Sequence, residues 1–167
     1  MKIRPEQPAD IEAIRDVNHA AFVTESEANL VDLLRDSGTE LISLVAETDG
    51  QIVGHILFSP VTLSGHEQVR IAGLAPMAVI PDYQRQGIGS ALINAGLEAC
   101  ARAGYEAVVV LGHPHYYPRF GFEITQPFGI DCEYEVSPEV FMIQAITPGI
   151  LDRLSGTIYY HPLFNEV

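Results

Sequence analysis

The stretch PDYQRQGIGS, from Pro81 to Ser90, stands between two segments of opposite pattern. Before it, residues 69–80 are an apolar extended segment, interrupted by Gly73 and Pro76, and Pro81 ends this predicted strand. After it, residues 88–104 carry apolar side chains at helical spacing. A helix that begins directly after a strand presents its first N–H groups and the positive end of its dipole. The stretch therefore predicts an anion-binding turn.

The side chains of this turn suit phosphate. Gly87 and Gly89 lack the Cβ atoms that would keep phosphate oxygens off the backbone, Arg85 adds a cation, and Ser90 adds a hydroxyl. A Rossmann fingerprint is excluded, because Leu92 stands where a third small residue is required. A Walker A loop is excluded too, because the chain has no Gly-Lys-Ser/Thr. The alternative that stays open is a tight turn that serves helix packing alone.

The elements on either side of the turn predict a mixed α/β sheet. Asp49-Gly50 is typical of a type I′ hairpin turn, and Ala107–Leu111 is a β-branched run typical of a strand buried on both faces. The other predicted elements are a strand at residues 2–4, a helix capped by Asp10, a helix with a Thr24/Glu27 capping box, a short helix within 116–122, and strands at 130–136 and 141–146.

Composition narrows the class of protein. The 167 residues are 47% hydrophobic, which excludes a disordered chain and predicts a single domain over residues 1–167. A net charge of −13 argues against nucleic-acid binding, and no apolar run reaches the ~20 residues of a membrane span. The first residues lack the apolar stretch of a signal peptide, so a cytoplasmic location is expected.

No disulfide framework or metal site is expected from the cysteine and histidine spacing. Cys100 and Cys132 are too few for a framework and have no metal-ligand spacing, so both are predicted to be buried thiols. His113 and His115 have no evident third ligand.

Three motifs in order give the chain a family resemblance. Gln84–Gly89 fits the pattern Q/R-x-x-G-x-G/A and resembles the coenzyme A pyrophosphate loop of the GNAT superfamily of N-acetyltransferases. Leu74–Val79, followed by Pro81, resembles the family's fourth strand, and Tyr116–Phe122 resembles its Y-x-x-x-G-F segment after the fifth strand. The stretch looks most like a bacterial YhbS-like subgroup.

The resemblance implies a fold and a cosubstrate. The fold is a GNAT-type mixed, mostly antiparallel central sheet, splayed between the fourth and fifth strands and flanked by helices. Acetyl-CoA is the implied cosubstrate, with the main chain of Met77, Ala78 and Val79 holding its pantetheine arm. The residues implied at its pyrophosphate are Gln84, Arg85, Gln86, Gly87, Ile88, Gly89 and Ser90.

The implied activity is direct transfer of an acetyl group from acetyl-CoA to a primary amine. Tyr117 occupies the family's general-acid position, and a phenol with an ordinary pKa of about 10 can protonate the departing thiolate. Tyr116 is the neighbouring alternative, and Tyr117 as a packing residue is a third reading. The alternative function is a non-catalytic acyl-CoA-binding sensor or assembly module.

The general base and the acceptor stay open. Residues 71–79 lack the carboxylate that many relatives carry on the fourth strand, and residues 112–115 replace an asparagine often found after the fifth strand. The candidates for the base are His113, Glu25, Glu27, Glu47 or water. The acceptor is expected to be a small-molecule amine or a peptide amine, and a homodimer stays open. The resemblance implies that the acceptor pocket is lined by Phe22, Glu27, Tyr134 and residues 159–161.

Overall fold

The computed structural model describes all residues from Met1 to Val167, which form nine strands and three α-helices. The strands are β1 (Lys2–Pro5), β2 (Ile42–Thr48), β3 (Gln51–Leu63), β4 (Ile71–Val79), β5 (Ala107–Leu111), β6 (Glu123–Ile124), β7 (Ile130–Cys132), β8 (Phe141–Ala145) and β9 (Gly156–Tyr159). The helices are α1 (Ile11–Ala21), α2 (Ser26–Asp36) and α3 (Ile88–Arg102). None of the three is long and apolar enough to cross a membrane.

The chain divides into two compact units. The first comprises residues 1–59, 75–96 and 162–167, and the second comprises residues 60–74 and 97–161. This division leaves the prediction of a single domain untested, and it stays a prediction.

The first unit has the strand order β1-β2-β3-β4. β2 pairs antiparallel with both β1 and β3. Asp49 and Gly50, between β2 and β3, have φ values of 52° and 76°, as a type I′ turn requires, so the hairpin prediction is confirmed.

Helices cover both faces of β3 in the first unit. Side chains of a strand alternate between faces, so Leu57 joins a core with α1 and α2, whereas Gly54 and Phe58 face α3. A Cβ at Gly54 would lie 3.1 Å from side-chain atoms of both Ile88 and Leu92, so the absent side chain lets α3 approach closely. The core on the α1 and α2 side is formed by Ile14, Leu30, Val31, Leu34, Val45 and Leu57.

The second unit contains the parallel pairing of the main sheet. β4 runs parallel to β5, followed by β8 and β6 in antiparallel pairs. The β4–β5 register ends where Leu74 faces Val110, although β4 continues to Val79. This interrupted pairing in a mostly antiparallel sheet confirms the predicted fold class. A side ladder pairs β9 antiparallel with the end of β3 and parallel with β7.

Several local predictions are corrected. The strand predicted at 130–136 ends at Cys132, and β6 and β9 were not predicted, because both are short and depend on partners distant in sequence. The Thr24/Glu27 capping box is wrong. α2 begins at Ser26, whose N–H donates to the Thr24 hydroxyl at 3.3 Å, while the N-cap residue is Glu25.

Candidate active site

The turn between β4 and α3 is shaped by its own glutamines. After β4, residues Pro81–Tyr83 form a short 3-10 turn. The side-chain amide of Gln84 donates to the Val79 carbonyl at 2.9 Å, and that of Gln86 donates to the Asp82 carbonyl at 3.3 Å. The sequence predicted both glutamines as ligand contacts, whereas the structure shows that they also fix the shape of the loop.

The backbone of the turn is exposed, and two of its residues are left-handed. Arg85 has a φ of 64° and Gly87 a φ of 84°. This conformation costs a residue with a Cβ roughly 1–2 kcal/mol, so Arg85 is strained while Gly87 is not. A Cβ at Gly87 would meet no atom within 4 Å, which means that the space beside this backbone is open. The turn therefore has room for a ligand against its main chain.

The first turn of α3 supplies backbone donors at this open position. The Ala91 N–H donates to the Gly87 carbonyl at 3.0 Å, so the helical hydrogen-bond ladder starts at Gly87. The N–H groups of Ile88 and Gly89 come before that bond and point along the helix axis toward the turn. Together with the helix dipole, they favour an anion.

Arg85 is the cation of this turn. Its side chain is exposed and makes no ion pair within the chain. Arg4, Arg15 and Arg35, in contrast, are all held by carboxylates of the first unit. In a chain with a net charge of −13, an arginine outside any ion pair beside a helix N-terminus is a specific attraction for phosphate.

The end of β4 has one face less covered than the other. Ala75, Met77 and Val79 are half-buried, whereas Pro76 and Ala78 are buried. The residues predicted at the pantetheine arm are Met77, Ala78 and Val79. The carbonyl of Val79 already accepts a hydrogen bond from the side-chain amide of Gln84. β4 is hydrogen-bonded to β3 on one side, so only the main-chain groups on its other side, beyond the last pair with β5 at Leu74, are left for a ligand.

Tyr117, in the second unit, is buried with only 7% of its surface exposed. It begins a 3-10 turn, Tyr117–Phe120, and its ring lies so close to Gly112 that a Cβ there would overlap it. Its ring also meets Phe122 edge-on at 5.7 Å between centroids. Burial, with a smaller contribution from Tyr116, raises the pKa of Tyr117 to about 12. The phenol therefore keeps its proton at neutral pH.

Tyr116 differs from Tyr117 in its surroundings. It is half-buried, and the guanidinium of Arg119 lies 4.5 Å from the centre of its ring. The two tyrosine rings meet edge-on at 5.2 Å between centroids. The ring of Tyr116 thus serves as a cover for Tyr117 and as a platform for Arg119.

The candidates for the general base have local contacts. In the first unit, Glu47 accepts the Arg4 guanidinium at 2.9 Å, Glu27 accepts the Thr24 hydroxyl at 3.5 Å, and exposed Glu25 lies 3.7 Å from His19. In the second unit, His113 is exposed, and its carbonyl accepts the N–H groups of Tyr116 and Tyr117. Glu47, as the partner of a partly buried ion pair, is the least suited of these to act as a base.

The cysteines differ from each other. Cys100 is fully buried, as predicted, and burial raises its pKa to about 12. Cys132 is half-buried, which corrects the prediction that both are buried, and its Sγ accepts the Tyr134 N–H at 3.4 Å. Burial raises the pKa of Cys132 as well.

Sequence reasoning missed Glu133. Its carboxylate oxygen Oε1 accepts the Tyr160 N–H at 3.0 Å, across the β7–β9 ladder of the second unit. The only local signal was its place beside Tyr134, which the resemblance had put at the acceptor pocket. Pairing of β7 with β9 joins residues far apart in sequence, so no spacing rule could find this contact.

Comparisons with known proteins show the family. Residues 40–124 match the family model described as an acetyltransferase (GNAT) domain. The chain is 37% identical to the uncharacterized N-acetyltransferase YhbS of Escherichia coli K12, over 99% of each chain.

Two solved structures are similar over almost the whole chain. The first is YhbS from Escherichia coli in complex with CoA, with a TM-score of 0.94 and 36% identity, covering 98% of this chain and 91% of that one. The second is a GNAT family acetyltransferase from Brucella melitensis in complex with acetyl-CoA, with a TM-score of 0.81 and 38% identity, covering 98% and 97%. The chain belongs to the GNAT family of acetyltransferases.

Proposed function

We propose that this chain transfers the acetyl group of acetyl-CoA to a primary amine, by direct attack of the amine and without an acyl-enzyme. The observation that carries the proposal is the open turn before α3, where exposed backbone meets a helix N-terminus and an arginine outside any ion pair. The CoA and acetyl-CoA complexes of the two similar proteins support the choice of cosubstrate.

The turn binds the pyrophosphate of acetyl-CoA. The N–H groups from Gly87 to Ser90 donate to its oxygens, and Arg85 supplies a positive charge. Gln84 and Gln86 keep the loop in shape through their bonds to the Val79 and Asp82 carbonyls. Because Gly87 has open space beside it, the phosphates can reach the main chain directly.

The main chain of Met77, Ala78 and Val79 holds the pantetheine arm by hydrogen bonds, in the way that a strand pairs with its neighbour in a sheet. β4 continues to Val79 although its pairs with β5 end at Leu74, so the edge of β4 away from β3 is without a strand partner at these residues. Extended backbone that is not paired with a neighbouring strand offers a row of donors and acceptors at regular spacing.

Tyr117 is the general acid. In the transfer, the amine nitrogen forms a bond to the acetyl carbon, the carbon–sulfur bond breaks, and the thiolate takes the phenolic proton. The proton lost by the amine nitrogen passes to the general base, and the Tyr117 phenolate regains a proton from solvent. Burial raises the pKa of Tyr117 to about 12, so the phenol is protonated at the start of each turnover.

The state of the two thiols supports direct transfer. A cysteine that accepts an acetyl group must react as its thiolate. Burial raises the pKa of Cys100 to about 12 and raises that of Cys132, so both are held as thiols.

The first experiment is calorimetry with acetyl-CoA, free CoA and ATP, joined to a screen of amines with detection of the released thiol. Acetyl-CoA and CoA should bind and ATP should not. Binding of acetyl-CoA without turnover of any amine would favour the non-catalytic module, and preference for ATP would contradict the cosubstrate.

The second experiment removes the acid. Tyr117→Phe keeps the ring against Gly112 and Phe122, so acetyl-CoA affinity should change little while kcat falls by ~10²–10⁴-fold. Tyr116→Phe is the matched control, with a much smaller loss expected. A wild-type rate for Tyr117→Phe, with chemistry shown to be rate-limiting, would make Tyr117 a packing residue.

A further inference from the structure

Three residues of the second unit, Glu133, Tyr134 and Tyr160, form a polar group that we call the Glu133 cluster. The Glu133 N–H donates to the Ile158 carbonyl at 3.0 Å, which extends the ladder between β7 and β9 by one residue. The Tyr160 N–H returns a hydrogen bond to Oε1 of Glu133 at 3.0 Å. The carboxylate is therefore held in one orientation by the backbone of the opposite segment.

The two tyrosines stack and differ in exposure. Their ring centroids lie 5.8 Å apart with planes at 30° to each other. Tyr160 is buried, while Tyr134 and Glu133 are half-buried and so reach the surface. Burial, together with the neighbouring Glu133 carboxylate, raises the pKa of Tyr134 to about 12. The surface thus presents one carboxylate beside the ring of a protonated phenol.

The Glu133 cluster borders the place where β4 leaves β5. The Tyr160 ring packs on Gly73 of β4 so closely that a Cβ there would lie 3.0 Å from its Cε1 atom. The pairing of β4 with β5 ends one residue later, at Leu74. The Glu133 cluster therefore lies, within the second unit, beside the last residues of β4 that pair with β5.

We infer that Glu133 and Tyr134 bind the acetyl acceptor as its ammonium ion, which gives one proton to water before the neutral amine attacks. The acceptor is then a primary amine on a short apolar or aromatic carbon group, and this inference rests on the proposed function. An ionised carboxylate has about four lone-pair positions, and the Tyr160 N–H uses one of them. Half-burial strengthens the attraction for a cation, and the ring of Tyr134 offers it a π face. The same ring gives the carbon group an apolar contact.

The test compares Glu133→Gln with Glu135→Gln. The Glu133→Gln change keeps an oxygen for the Tyr160 N–H and removes only the charge, whereas Glu135 is exposed and two residues away. Steady-state rates with phenethylamine, n-butylamine and a peptide with an N-terminal glycine are measured at saturating acetyl-CoA by thiol release.

We expect phenethylamine to be the best of the three substrates. Its KM should rise at least tenfold in Glu133→Gln with a change in kcat of less than threefold, while Glu135→Gln stays within twofold of wild type. Acetyl-CoA affinity, measured by calorimetry, should be equal in all three proteins. Tyr134→Leu should also raise the KM for phenethylamine, more than that for n-butylamine.

Two results would overturn the inference and are distinguishable. Turnover of an amine with equal KM in wild type and Glu133→Gln contradicts the inference alone and leaves the proposed function standing. Normal binding of acetyl-CoA with no turnover of any amine by the wild type contradicts the proposed function and the inference together. A matching melting temperature for Glu133→Gln shows that a raised KM reflects lost charge and not lost structure.

Discussion

Polar groups under α1 and polar groups before α3 are arranged in opposite ways, although both belong to the first unit. Under α1, buried Asn18 and His55 are linked through Ser43 to Glu6, which in turn holds Arg35. Before α3, the loop of residues 84–89 points its backbone donors and its arginine outward. The first arrangement makes each of these links within the chain and leaves only the Asn18 Oδ1 atom without a partner, whereas the second leaves Arg85 exposed and outside any ion pair.

The direction of hydrogen bonding in the buried chain of polar groups follows from Asn18. Its Nδ2 donates to the Ile14 carbonyl at 3.0 Å and lies 3.2 Å from Nδ1 of His55. Nδ1 must then be an acceptor, so Nε2 carries the proton and donates to the Ser43 Oγ at 2.9 Å. The Ser43 hydroxyl donates onward to Glu6. The tautomer of neutral His55 is thus fixed, and a protonated ring would turn a second donor against the Asn18 amide.

The two regions show how to tell a stabilising polar group from a binding one. A polar side chain whose partners lie within the chain is expected to contribute to stability, and one without such partners is expected to bind a ligand. Breaking the buried polar chain should cost stability and leave cosubstrate affinity intact. Breaking the loop should do the reverse.

Acid should give the largest effect on the buried polar chain. Burial lowers the pKa of His55 from its ordinary 6.5 to about 4. Between these values the unfolded chain binds a proton that the folded chain does not, so stability is full above pH 6.5 and falls as the pH drops toward 4. The loss from this group is about 2 kcal/mol between pH 7 and pH 5, and about 3 kcal/mol in all.

Urea unfolding of wild type and His55→Gln at several pH values between 7 and 5 measures this loss. A glutamine side chain cannot titrate, so the stability of His55→Gln should vary less with pH by about 2 kcal/mol over that range. Equal slopes for the two proteins would show that His55 is not the group responsible.

Gly89→Val should give the largest effect on the loop. A β-branched side chain at the second residue of α3 places atoms where the phosphates must approach the backbone, so acetyl-CoA affinity should fall tenfold or more while the fold survives. Asn94→Val controls for the helix propensity of valine, because Asn94 is exposed on the same helix. Calorimetry that finds unchanged affinity in Gly89→Val would contradict the assignment of the loop.

A matched pair of arginine variants tests the same contrast at a smaller scale. Arg35→Gln removes a guanidinium that donates two hydrogen bonds to the Glu6 carboxylate, at 2.9 and 3.0 Å. The free energy of unfolding should therefore fall by about 1 to 2 kcal/mol, a value that allows for partial exposure, with no change in acetyl-CoA affinity. Arg85→Gln removes a cation without an ion pair, so acetyl-CoA affinity should fall by about threefold to tenfold with stability unchanged. The reverse pattern in either assay would contradict the distinction between the two regions.

The smallest effect is expected for the cysteines. Cys100→Ala and Cys132→Ala should keep turnover within a few-fold once corrected for stability, because neither thiol takes part in direct transfer. Mass spectrometry after incubation with acetyl-CoA alone checks the same point, and a trapped acetyl-cysteine would overturn the mechanism.

The sequence predicted those parts of the site that depend on neighbouring residues. The glycines of the turn, the strand before it and the helix after it were all readable from residues 69–104, and the β-branched run of β5 predicted its burial. The capping box at Thr24 was wrong because the N-cap residue of α2 is Glu25, whose side chain makes no capping hydrogen bond. Residue propensities alone do not decide at which residue a helix begins. The strands β6 and β9 escaped prediction because two and four residues carry too little pattern.

Adjacent residues were enough to predict a mixed α/β sheet and a turn between β4 and α3, because backbone preferences and hydrophobic periodicity are local properties of a chain. The folded chain was needed to establish that His55 is buried and neutral and that Arg85 makes no ion pair. It was also needed to show that the N–H of Tyr160 orients the Glu133 carboxylate. Each of these depends on burial or on a partner many residues away. A group's protonation and its capacity for a ligand are set by which distant residues the fold brings to it.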